Sequence, residues 1–367
     1  MRGRAILSAV AALLVVTILP ATGGARAAEH TLFPAPAGER ARIVVRAAAD
    51  LTVMRPLIRD FQALRPEVTV DYHDYVTNDL FDEAAAACRT GAPHADLLLS
   101  SAVDHLVELA NRGCAAAHRG GAGAALPAWA KWRDEVFGFT LEPAVIVYNR
   151  DLLAPDLVPA SHHHLAEILR TRADLFRGRV GTYDIRLSGI GYLYAFFDLL
   201  QTGTTYGRLL ESMGRVGTVL RCCTDQVLDG VARGELLIGY NLLGSYAYAR
   251  MKAGAPIGIV LPRDYTLVLA RGAMLPKHGA GGDGAAFLDH LLSPRGQAVG
   301  RDEAFHFSAD GALPPGVEGP ASMLGSGAGR PIAIGPALLL TQDRMRRARF
   351  IADWSRSMID MYASGAR

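Results

Sequence analysis

Between residues 41 and 110, apolar runs of strand length alternate with stretches of helical period, and few folds accept that order. Residues 41–47 form a short strand of buried type. Residues 51–63 follow, with Met54, Leu57, Ile58 and Phe61 at helical spacing behind Asp50 as a cap. Residues 68–72 are a second strand, 79–87 a helix, 95–100 a third strand and 103–110 another helix. A β-α-β-α-β-α succession predicts a mainly parallel sheet with helices on both faces. The preceding stretch, 28–40, contains Pro34, Pro36 and Gly38 and reads as a tether.

The pattern then changes. Residues 137–142 run through Pro143 into an apolar stretch at 144–149, which predicts a crossing into a second lobe. Strands at 180–183, 236–240 and 257–260, with helices at 191–200, 206–213 and 225–233, build that lobe. Residues 265–270 read as the returning strand and 282–299 as helix. Residues 310–335 are rich in Gly and Pro and read as a surface loop, and a helix at 341–362 ends the chain. The expected organisation is an export signal at 1–27, a tether at 28–40, a first lobe from 41–142 and 265–335, a second lobe at 143–264, and a C-terminal helical segment at 336–367.

Arg2 and Arg4 precede an almost unbroken apolar run, and Ala25-Arg26-Ala27 supplies small residues where a signal peptidase cuts. Cleavage after Ala27 and a periplasmic location are the expectation. The run is short for a membrane span, which needs about 20 apolar residues. With 38 Lys plus Arg against 36 Asp plus Glu, and three of the Arg inside the signal, the mature chain is near neutral, which argues against a nucleic-acid partner. An exported chain can hold disulfides. Cys88 and Cys114 are candidates for one. Cys222 and Cys223 are adjacent, an arrangement that rarely pairs, and no cysteine spacing suggests zinc.

Four stretches, in this order, carry a resemblance. They are residues 57–66 with the strand at 68–72, residues 95–101, residues 234–240, and residues 287–297, where Phe287 leads to Leu291-Leu292-Ser293-Pro294 and Gly296-Gln297. The chain resembles the type 2 periplasmic binding proteins, the extracellular solute receptors of ABC transporters. Within them it is most similar to the cluster of ferric-ion, phosphosugar, phosphoglycerate and aminoalkylphosphonate receptors. The resemblance implies an α/β fold of two lobes, each a mainly parallel sheet flanked by helices, with the ligand in the cleft between them. It implies a small-molecule cargo, a transporter permease as partner (or a sensor kinase), a monomer, and neither catalysis nor a cofactor.

Ligands of such sheets bind beyond the carboxyl ends of the strands, where helix N-termini present free N–H groups to anions. The residues expected there are Ala49 and Asp50 after the first strand, and Ser100 and Ser101 after the third. Glu142 stands at the crossing. Tyr183, Ser188 and Gly189 lie between a strand and a helix, and Thr224 opens another helix. Tyr240, Asn241, Ser245 and Tyr246 surround the end of a strand. Together they suit a small oxygen-rich anion, phosphorylated or carboxylated. The alternative cargo is ferric ion, held by phenolates of Tyr240 and Tyr246 with Glu142 as a further candidate ligand, although the adjacent tyrosine pair usual in ferric receptors is missing. Gly279, Gly281 and Gly284 match a dinucleotide fingerprint by letter but lack its strand–helix setting. His162-His163-His164 reads as a helix start before it reads as a metal site, and no hydrolase or nucleotide-binding motif is present.

Overall fold

The computed structural model describes residues 29–308 and 312–360. The expected signal at 1–27 lies outside the described residues, as do Ala28 and Tyr362.

Residues Ala41–Ala48 (β2) run parallel to Val68–Asp74 (β3) on one side and Leu97–Ser100 (β4) on the other. Helices Leu51–Leu64 (α1), Thr77–Thr90 (α2) and Val103–Asn111 (α3) connect and follow these strands. Met54, Leu57, Ile58 and Phe61 of α1 are all buried, so the helical spacing read from the chain is the face that meets the sheet. The sheet continues antiparallel from β4 to Gly272–Pro276 and then Val136–Gly138.

Residues 29–33 are not a tether. They form an edge strand, Glu29–Phe33 (β1), antiparallel to β3. Pro34 and Pro36 end that strand rather than marking the whole stretch as loop, and Phe33 is buried beneath it.

Glu142–Asn149 carries the chain into a second sheet, ordered Val219–Arg221, Val180–Tyr183, Ile238–Leu243, Glu142–Asn149, Ile257–Val260, Val317–Glu318. Thr266–Leu269 pairs with the start of Glu142–Asn149, bringing the outgoing and returning chains side by side at Leu269 and Glu142. Gly329–Pro331 pairs with Thr266–Leu269. The expected loop at 310–335 therefore contains two short strands, too brief to show a period in the sequence. The helix start read at His162 opens the helix His162–Thr171, while the helix Gly244–Lys252 has no counterpart in the sequence reading.

The C-terminal segment touches both lobes. Thr341 Oγ1 donates to Asp104 Oδ2 of α3 at 2.7 Å, while Trp354 and Met358 are buried in the second lobe's core with Leu209 and Met213. Cys88 and Cys114 are bonded, tying the end of α2 to the turn after α3. Cys222 and Cys223 are bonded as well, against the expectation for adjacent cysteines. They sit in the bend between Val219–Arg221 and the helix Thr224–Ala232, where the chain is free of either ladder.

Candidate functional site

A cavity of about 420 Å³ opens between the two sheets at the carboxyl ends of β2, β3 and β4. From the first lobe it is lined by Ala48, Ala49, Asp50, Asp74, Thr77 and Ser101, with Glu29 at the rim. From the second lobe come Tyr183, Ser188, Ile190, Cys222, Cys223, Thr224, Asp225, Tyr246 and Arg250. A smaller cavity of about 220 Å³ beside Trp129, Phe139 and Gln297 is mostly apolar and lies away from these strand ends.

Helix starts converge on the cleft. The helix Thr224–Ala232 and α2 both lack a side-chain cap, leaving first-turn N–H groups for a ligand oxygen. Ser188 caps the helix Gly189–Gln201 by accepting from the Gly191 N–H at 3.2 Å. Asp50 occupies the cap position of α1 but makes no capping bond, so its carboxylate is not spent on the helix. Ser101 is nearly buried, lines the cavity, and its hydroxyl has no protein partner among the described residues.

The charged lining is mainly acidic. Leu51 N–H donates to Asp74 Oδ2 at 3.3 Å, which sets the Asp74 carboxyl beside Asp50 at the head of α1. Burial pushes Asp74 up to about 8, and the nearby Asp50 adds to it. Burial pushes Asp50 up to about 6, opposed by the Arg271 guanidinium and reinforced by Asp225. Arg250 is the cation of the lining, and it is engaged by Asp229 at 2.7 Å.

Behind the cleft lies an ion pair at the crossing. Arg271 Nε donates to Glu142 Oε1 at 2.9 Å, with both side chains fully buried. Ser245 Oγ donates to the same oxygen at 2.7 Å. Tyr246 Oη accepts from Arg271 Nη1 at 3.0 Å and from Asp50 N–H at 2.8 Å, linking this pair to the first lobe's cleft wall.

Among the residues expected from sequence, Ala49, Asp50, Ser101, Tyr183, Ser188, Thr224 and Tyr246 line the cavity. Ser100 accepts from Ala102 N–H at the start of α3. Glu142 and Ser245 belong to the buried pair behind the wall. A bulge at residues 240–241, with Asn241 at φ 62°, turns Tyr240 and Asn241 inward, where both donate to Asp198. His162 begins a helix and meets Asp264.

Asp74, Thr77, Arg271 and the bonded Cys222–Cys223 escaped the sequence reading. Asp74 follows a strand end as Asp50 does, and that signal was readable. Arg271 is the one charge in an apolar run from Tyr265 to Leu275, a cue for a buried partner.

The lobes meet across the cleft mouth. Gly189 N–H donates to Thr77 Oγ1 at 2.9 Å, and Asn78 Nδ2 donates to the Leu187 carbonyl at 2.8 Å. A Cβ on Gly189 would come within 2.7 Å of His105 Cε1 and 2.9 Å of both Thr77 Oγ1 and Asn78 Oδ1. Gly189→Ala is therefore expected to hold the lobes apart and weaken solute binding about tenfold, a cost of about 1.4 kcal/mol. Calorimetry with small-angle scattering checks this; a closed, parent-like complex contradicts it.

Two lobes with a solute-sized cleft at the strand ends define the type 2 periplasmic binding fold. The sequence profile of the bacterial extracellular solute-binding proteins matches residues 43–306, and the chain belongs to that family. The substrate-binding protein of an ABC transporter from Agrobacterium tumefaciens is 31% identical, with a TM-score of 0.83, covering 91% of this chain and 99% of that one. AfuA from Actinobacillus pleuropneumoniae, solved with fructose-6-phosphate, shares the fold at 16% identity and a TM-score of 0.67, over 87% of this chain and 99% of that one. Iron-bound HitA from Pseudomonas aeruginosa does so at 18% and 0.60, over 75% and 90%. No curated protein matches the chain. The family is one of extracellular solute-binding proteins, and the Agrobacterium tumefaciens neighbour is the substrate-binding protein of an ABC transporter.

Proposed function

We propose that this chain is the periplasmic receptor of an ABC importer whose cargo is a small oxygen-rich anion that also carries a protonated amine. The observation that carries this reading is the pairing, in one cavity, of uncapped helix starts with the Asp50–Asp74 carboxyls. Free N–H groups at α2 and at Thr224–Ala232 suit a phosphonate, phosphate or carboxylate. Two carboxyls held together away from water stay partly protonated until a cation arrives. A purely anionic solute would leave them unanswered; a zwitterion answers both ends.

Calorimetry with matched ligands tests it: an aminoalkylphosphonate against the alkylphosphonate of the same length, and an amino carboxylate against its des-amino form. The amine-bearing member should bind at least tenfold tighter. Equal binding of each pair would remove the amine from the reading, and binding of neutral sugars alone would remove the anion.

Ferric ion is the weaker reading because the phenols it needs are occupied. Tyr240 is turned to Asp198, and Tyr246 accepts two hydrogen bonds. Protein mixed with Fe(III) is expected to stay colourless; a stoichiometric charge-transfer band lost in Tyr246→Phe would reverse this ranking.

A further inference from the structure

Away from the cleft, the outer edge of the first lobe gathers two imidazoles and a carboxylate. His30 of β1 and His73 of β3 stand opposite each other in the antiparallel ladder. Asp71 lies two residues before His73 and so shares its face. His30 Nε2 is 2.6 Å and His73 Nε2 3.0 Å from the same oxygen, Asp71 Oδ1. The rings stack with centroids 4.7 Å apart. One donor atom from each residue falls within 4.8 Å of the other two, and this is the single such group of metal-type ligands among the described residues.

We propose that His30, Asp71 and His73 form a surface site for one divalent cation of the zinc class, with water as the fourth ligand. A tetrahedral ion with bonds of about 2.0–2.2 Å keeps its donors roughly 3.3 Å apart. Small rotations of three partly exposed side chains reach that spacing without moving either strand. Arg42 Nη1 lies 3.9 Å from Asp71 Oδ2, which disfavours hard cations that depend on several carboxylates. An imidazole-weighted donor set selects zinc, copper or nickel instead.

The position gives the site a consequence. Glu29, the residue before His30, lines the rim of the solute cleft, and its register partner is Asp74. A metal bridging β1 to β3 pins the edge strand and holds Glu29 against the cleft. The site does not depend on which solute the cleft accepts.

The test is a Zn(II) titration by calorimetry of chelator-stripped protein made without a histidine tag. It carries His163→Ala and His164→Ala to silence the neighbouring histidines of the second lobe. One ion per chain should bind with a dissociation constant on the order of micromolar or tighter. Binding should weaken at least tenfold in His30→Ala and likewise in His73→Ala, each retaining the parent's circular dichroism. No saturable binding, or binding indifferent to both histidines, overturns the proposal. Loss in His30→Ala alone also overturns it, because that would assign the metal to a chelate formed by a processed amino terminus.

Discussion

Arg271→Ala is expected to lower the free energy of unfolding by about 3–5 kcal/mol, because it strands the Glu142 carboxylate in a fully buried site. Ser245 would still donate to that carboxylate but supplies no charge. Tyr246 would lose one of its two donors, and with it part of its grip on Asp50. Glu142→Gln together with Arg271→Met should recover much of the loss, since a buried ion pair exchanged for neutral groups of similar volume often costs little. Urea denaturation of Arg271→Met, Glu142→Gln and the double variant closes the cycle. A single-variant loss under 1 kcal/mol would mean that the pair contributes nothing to the fold.

Asp50→Asn with Asp74→Asn is expected to weaken an amine-bearing solute about 100-fold, the loss of two charge-assisted hydrogen bonds at roughly 1.5 kcal/mol each. The pH dependence has a definite sign. In the empty protein both carboxyls titrate above their unfolded values, so the folded state binds more protons. Stability contributed by these groups is present below about pH 4 and declines as pH rises through about 6 for Asp50 and about 8 for Asp74. The double variant removes that decline. Solute binding runs the other way: an ammonium group favours ionised carboxyls, so affinity falls as pH drops through about 8, where Asp74 takes up its proton, and again below about 6, where Asp50 does. Binding near neutral pH releases protons, chiefly from Asp74. Calorimetry in two buffers of different ionisation enthalpy measures that release. Proton uptake, or parent-like affinity in the double variant, would place the amine elsewhere or remove it.

Much of the first lobe was readable because its signals are local. An apolar strand, a cap residue and a helical stripe each lie within one short window, and the rule of looking just past a strand or at a helix start put Asp50, Ser101, Ser188 and Thr224 where they line the cavity. The same rule would have found Asp74. It also put Tyr240 and Asn241 at the cleft, whereas their side chains turn to Asp198, because a one-residue bulge reverses which face a side chain takes and leaves no mark on composition. Ser100 and Glu142 stand at the expected places in the chain, but one is spent on a helix start and the other on Arg271.

What the sequence determined by itself was most of the order of strands and helices, the extended passage through Pro143, the strand near Leu269 and hence a two-lobed α/β fold. These follow from periods and breaks within a few residues of one another. The tertiary structure decided which polar groups share a space. Asp50 and Asp74 are 24 positions apart in sequence, Arg271 and Glu142 are separated by 129, and His30 meets His73 only because β1 lies antiparallel to β3. Charge, donor and metal-ligand chemistry depend on distances of a few ångströms, and only the folded chain sets distances between residues so far apart along it.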